Sequence, residues 1–236
     1  MIEPPCGSAS CPVPGEPPAR LRSIVWRAGT RLHRGHKHVY PAHELVPGTG
    51  ATRFAPQGRS FHAYLATTEI GALLESALHD ASPPFPRIQI PTLRQWSESI
   101  VELAYDVRLL DLRDPELDRL QLRREQVVST LPVHYACTRR WASGLVGRSV
   151  GGQQTHGLVW HSRQAELHTR AVEHRPALAR LLAQHPTEVA IVWSPPAPSG
   201  LLRPVPSEGL GRLDEGDGWR FLEDLLGLLG IVSDPA

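Results

Sequence analysis

The chain reads as an α+β domain, and three observations predict it. Strand-like apolar runs and helix-periodic stretches both occur, and they do not alternate in the regular order of a parallel doubly wound sheet. No internal repeat organises them. With 236 residues, 41% of them hydrophobic, the chain can bury a real core. That core is expected over residues 21–236. Residues 1–20 hold Pro4, Pro5, Pro12, Pro14, Pro17 and Pro18 and read as a mobile or loosely docked arm.

The elements follow in order. Ser23-Ile24-Val25-Trp26-Arg27 is strand material, and the polar stretch from Arg31 to Gly50 reads as a long functional loop. Phe61 to Ala66 reads as a strand. Thr67 or Thr68 then caps a helix with Glu69 in its first turn, where the macrodipole favours a carboxylate. Ile70, Leu73, Leu74, Ala77 and Leu78 keep helical spacing, so one face is buried, and Pro83 and Pro84 end any continuation. Ile100–Tyr105 and Val107–Leu112 read as strands, and Asp114-Pro115-Glu116 opens a helix toward Leu122. A helix from about Tyr135 to Leu145 and strands at Gly157–His161 and Val189–Trp193 come next. Arg175–Gln184 and Trp219–Leu229 read as helical. The stretch 82–99 has no assigned role.

Composition excludes several functions. A net charge of +1, from 25 basic and 24 acidic residues, builds no one-sided field for nucleic acid. No apolar run approaches the ~20 residues a membrane span needs, and the N-terminus carries no signal-peptide pattern, so the expected location is cytoplasmic. Cys6, Cys11 and Cys137 are an odd count and read as free thiols. Lys37 is the only lysine, which rules out mechanisms that need a pocket lysine unless Lys37 itself serves; with no G-x-x-x-x-G-K-[ST] loop, phosphate binding would fall to arginine forks and backbone N–H groups. His33, His36, His38 and His43 have metal-like spacing but lack cysteine partners, and the Cys6/Cys11 pair sits in the arm. No metal site is expected. Gly209-Leu210-Gly211 fails as a dinucleotide fingerprint, because Asp214 takes the place of the third glycine and no strand precedes it.

Arg53, Tyr64 and Glu75 stand eleven residues apart each time. The three side chains suit a dinucleotide with a cleavable glycosidic bond. Arginine grips a pyrophosphate in bidentate fashion, and a tyrosine ring stacks on a flat heterocycle. A carboxylate can hold a ribose hydroxyl and stabilise an oxocarbenium-like transition state. At about 100° per residue, Glu75 falls just outside the apolar stripe of its helix. Spacing alone leaves a structural salt bridge open at Glu75, and an ordinary strand-end serine open at Ser162.

These motifs resemble the RES-domain family, in Trp26-Arg27-Ala28-Gly29, Thr52-Arg53-Phe54, Tyr64-Leu65-Ala66, Ala72-Leu73-Leu74-Glu75 and Gly157 to Arg163. Order and spacing agree from about residue 23 to 195. The resemblance implies an ADP-ribosyltransferase-like fold, a central mixed β core with flanking helices. It implies a bacterial toxin that consumes NAD as substrate, with no cofactor, and that an Xre-type antitoxin neutralises by plugging the pocket. It also implies that Arg53, Tyr64, Glu75 and Ser162 line the nicotinamide end, with Arg27 or Arg31 on phosphate. The acceptor stays open between water, inorganic phosphate and a protein side chain, as does assembly as a homodimer. A non-catalytic binding module is the rival class.

Overall fold

The computed structural model describes residues 6–8, 10–47, 52–56, 61–81, 85–171, 187–194 and 200–235. In chain order its strands are β1 (Ser23–Trp26), β2 (Arg31–Lys37), β3 (Val46–Pro47), β4 (Phe61–Ala66), β5 (Arg87–Gln89), β6 (Trp96–Leu103) and β7 (Val107–Asp111). There follow β8 (Ser149–Val150), β9 (Gln153–Gln154), β10 (Gly157–His161), β11 (Glu188–Ser194), β12 (Leu202–Pro204), β13 (Gly211–Arg212) and β14 (Val232–Asp234). The helices are α1 (Glu69–Leu74), α2 (Ile90–Leu93), α3 (Asp114–Arg119), α4 (Tyr135–Ser143), α5 (Arg163–Ala171) and α6 (Gly216–Leu229).

The central strands are apolar on both faces. Leu158 and Trp160 of β10, with Val189, Ile191 and Trp193 of β11, enter one core; Val159, Ala190 and Val192 enter another. Period-two alternation with both sides apolar is the pattern of a strand covered above and below. The main sheet runs β1-β7-β10-β11-β4-β2-β6-β12, with β3 added to β4 and β13 to β6. The β7–β10 pair is parallel and its other pairs are antiparallel, so the sheet is mixed. Trp26 from one end of this order and Leu202 from the other join a single apolar cluster, which requires the sheet to curl. The outer face carries α4 through Trp141 and α3 through Leu117. A third cluster packs α1, α5 and α6 through Leu73, Ala165 and Leu222. The α+β expectation holds. Among the described residues, no helix is long and apolar enough to cross a membrane.

Three local expectations change. The stretch from Arg31 is a strand, not a loop, because Leu32 and Arg34 alternate inward at 1% and 3% exposure. An arginine in an inward position hides the apolar pattern that would announce β2. Gly35 lets β2 lie against α1, since a Cβ there would sit 1.9 Å from the Ser76 hydroxyl oxygen. The helix after Thr68 ends at Leu74, with Glu75 as its C-cap, and Ala77 and Leu78 are buried in the turns beyond it. Residues 85–99, in the stretch without assigned role, supply β5, α2 and the start of β6.

The helix expected over 175–184 lies outside the described residues. The described part of the N-terminal arm is docked rather than loose. Val13 packs on the outer-face core, and the Pro18 carbonyl accepts from Arg148 Nη1 at 3.0 Å.

Candidate active site

A cleft of about 760 Å³ opens beside β2, β4 and the turn after α1, within the range of small-molecule sites. Arg53, Tyr64 and Glu75 all line it. The fold therefore gathers the eleven-residue series into one place. Each member is held by a different local device.

Tyr64 stands on β4, where alternation turns it away from the Ala63 and Leu65 core. Its ring meets Trp160 edge-on at 6.1 Å. The hydroxyl donates to Thr52 Oγ1 at 3.0 Å and accepts from the Phe54 N–H at 3.2 Å. Tyr64 thus ties the segment carrying Arg53 to the sheet. Burial pushes its phenol up to about 12, outweighing the hydrogen bonds that favour the phenolate, so it stays protonated at neutral pH.

Arg53 is 5% exposed. Its backbone carbonyl accepts from Thr138 Oγ1 at 2.7 Å. Its Nη2 donates to the Tyr135 hydroxyl at 3.1 Å, and the guanidinium lies 5.1 Å from the Tyr135 ring centroid. Nε has no partner, and among the described residues no carboxylate forms an ion pair with Arg53. A buried cation ordinarily has an anionic partner. Here the phenol and the ring provide only partial compensation.

Glu75 is half-buried at the C-cap of α1. Its Oε1 accepts from Ser162 Oγ at 2.6 Å, and Ser162 Oγ accepts in turn from the Ala165 N–H at 3.1 Å, at the start of α5. Among the described residues Glu75 forms no ion pair, so the structural salt bridge left open by its spacing is not there. Ser162 is 3% exposed, and its proton goes to the Glu75 carboxylate. It positions Glu75 from behind.

Arg27 and Arg31 are not brought to this cleft. Arg27 Nη1 pairs with Asp106 at 2.7 Å on the outer edge, beside a separate smaller hollow. Arg31 Nη1 reaches both carboxylate oxygens of Glu208, at 2.9 and 2.7 Å. Both guanidinium groups are already neutralised, and both are more than half exposed.

Lys37, the single lysine, also lines the cleft, and sequence reasoning missed two further cations there. Arg34 is 3% exposed; its Nη1 donates to the carbonyls of Ala42 and Glu44, and burial draws its pKa down to about 10, against the raising influence of Glu44. Arg139 of α4 is also buried and lines the cleft. Inward alternation of Arg34 with Leu32 was the available signal for β2. Nothing local marks Arg139 or Tyr135. His62 on β4 completes this wall at 4% exposure, and burial, aided by Arg34, brings its pKa down to about 4.

The histidines of residues 33–43 do not gather into a metal site. His33 Nδ1 meets buried Glu98 at 2.8 Å and His36 Nε2 meets Ser99 Oγ at 3.0 Å, each across the β2–β6 pair.

The RES domain family profile matches residues 24–194. No curated protein matches the chain. Among solved structures, a chain of the M. tuberculosis MbcT–MbcA toxin–antitoxin complex is similar at 12% identity, with 80% of this chain and 86% of that chain covered and a TM-score of 0.49.

Proposed function

The chain belongs to the RES-domain family, and from that premise we propose that it is an NAD-consuming enzyme cleaving the nicotinamide–ribose bond, as an NAD glycohydrolase or phosphorylase. The observation that carries the reading is the unmatched charge of the cleft. Among the described residues Arg53 is a buried cation without a carboxylate, and Glu75 is a carboxylate held by a serine rather than a cation. An ADP-ribosyl group brings the complement of both, an anionic pyrophosphate and a ribose that becomes cationic as the bond breaks.

In this reading Arg53 forks onto the pyrophosphate, with Arg139 adding positive field. The Tyr64 ring offers the nicotinamide a stacking face. Glu75 Oε1 is occupied by Ser162, which leaves Oε2 for a ribose hydroxyl and for the charge growing at the anomeric carbon. Nicotinamide leaves as a neutral molecule from a cationic ring, so no strong general acid is required. His62, neutral at physiological pH, keeps a further cation out of the nicotinamide end. The family's likeness to ADP-ribosyltransferases, its toxicity and its Xre-type antitoxin partner belong to the same proposal.

The test is nicotinamide release by the purified protein, followed with and without inorganic phosphate. Release giving ADP-ribose supports the glycohydrolase, and phosphate-dependent release giving the 1″-phosphate supports the phosphorylase. NAD left intact under both conditions contradicts the proposal. Expression in bacteria without a neutralising partner should lower NAD before viability falls.

A further inference from the structure

Cys6 and Cys11 converge on His134, with Cys137 beside Cys6, away from the cleft's chemistry but at the start of the helix that forms its wall. Cys6 Sγ lies 3.3 Å from His134 Nδ1. The donor atoms of Cys6, Cys11 and His134 all lie within 4.8 Å of one another. The fourth member, Cys137, accepts the Cys6 N–H on its sulfur at 3.3 Å. Four half-buried donors of these types, three sulfurs and one imidazole, come from two segments separated by more than a hundred residues.

We propose that Cys6, Cys11, His134 and Cys137 form a structural zinc site that fastens the N-terminal arm to the start of α4. The donor set is that of Cys3His zinc sites, which are tetrahedral and closed. Donors about 2.0–2.3 Å from a tetrahedral zinc lie about 3.5–3.8 Å apart, so Cys6, Cys11 and His134 need only small adjustments to close on an ion, and Cys137, outside that group, must swing in to supply the fourth donor. Gly7, directly after Cys6, takes a left-handed backbone at φ 70° and turns the chain beside the first sulfur. His134 and Cys137 are three residues apart across the first turn of α4, where the helix dipole also favours thiolate.

A divalent ion bound here would neutralise the sulfurs together. The site also bears on the cleft, because His134 precedes Tyr135, whose hydroxyl receives the Arg53 hydrogen bond. The metal would hold the wall that holds Arg53.

The experiment is metal analysis of the full chain purified without chelator or added zinc. About one zinc per chain is expected, with all three thiols protected from a thiol reagent until a chelator is added. Cys11→Ser should lose the zinc during desalting. Should that variant fail to fold, the wild type loaded with cobalt(II) decides the matter. Thiolate-to-cobalt charge transfer with the intense ligand-field bands of a tetrahedral site supports the assignment, and a weak octahedral spectrum overturns it. A metal-free chain with freely reactive thiols overturns it too, as does a mass lower by two hydrogens, which would mean a disulfide in place of the site.

Discussion

The solvent-exposed surface and the cleft treat arginine in opposite ways. At the surface, Arg27 meets Asp106 and Arg31 meets Glu208, exposed cations each neutralised by a carboxylate. In the cleft, Arg53 leans on a phenol and an aromatic ring, and Glu75 on a serine hydroxyl. A fold that needed only stability would have paired Arg53 and Glu75 with opposite charges, as the surface does. The difference teaches that charge left unmatched in a buried place is informative about a ligand, whereas an exposed ion pair contributes little to anything.

The largest effect that would sharpen this contrast is expected at Glu75. Glu75→Gln keeps the size and some hydrogen bonding to Ser162 but removes the charge. Turnover of NAD should fall roughly 10²-fold or more, with a much smaller loss of NAD affinity. A lowered melting temperature with near-normal turnover would instead make Glu75 a scaffold residue. Arg53→Lys comes next. An ammonium cannot reproduce two parallel N–H contacts, so kcat/KM should fall about tenfold or more. Activity within about twofold of wild type would remove Arg53 from the pyrophosphate.

His62 gives a pH signature of the cleft wall. Its folded pKa is about 4, below the 6.5 of a free imidazole, so the unfolded chain binds the proton more readily between these values. Stability should therefore fall as pH drops from 6.5 toward 4 and stop falling below that, by at most roughly 3 kcal/mol from this group. Denaturant titrations of wild type and His62→Gln across that window check it. An identical slope in both proteins would assign the loss to other groups. The smallest effect belongs to the exposed pairs: Arg27→Ala and Arg31→Ala should each leave NAD turnover within about twofold. A large loss in either would break the contrast and return phosphate binding to that surface.

What was legible in the sequence follows the same division. β4, β10 and β11 were readable because apolar side chains fill their inward positions, and α1, α4 and α6 because of helical spacing. β2 was not, because Arg34 occupies an inward position and His33 and His36 make their bonds to β6. Arg53, Tyr64 and Glu75 were found as an ordered series. The Ser162–Glu75 bond, the Tyr135 contact and the sulfur–imidazole cluster were not, since each joins residues 82 or more positions apart through tertiary folding. Arg27 and Arg31 show the opposite failure, in which the right residue type stands in the wrong place.

The most direct test is a crystal structure of the Glu75→Gln protein soaked with NAD, in which slow turnover preserves the substrate. The account predicts the pyrophosphate within hydrogen-bond distance of the Arg53 guanidinium, the nicotinamide against Tyr64, and the ribose hydroxyls at residue 75. NAD lying along Arg27 or Arg31, or a cleft that stays empty at saturating NAD, would contradict it.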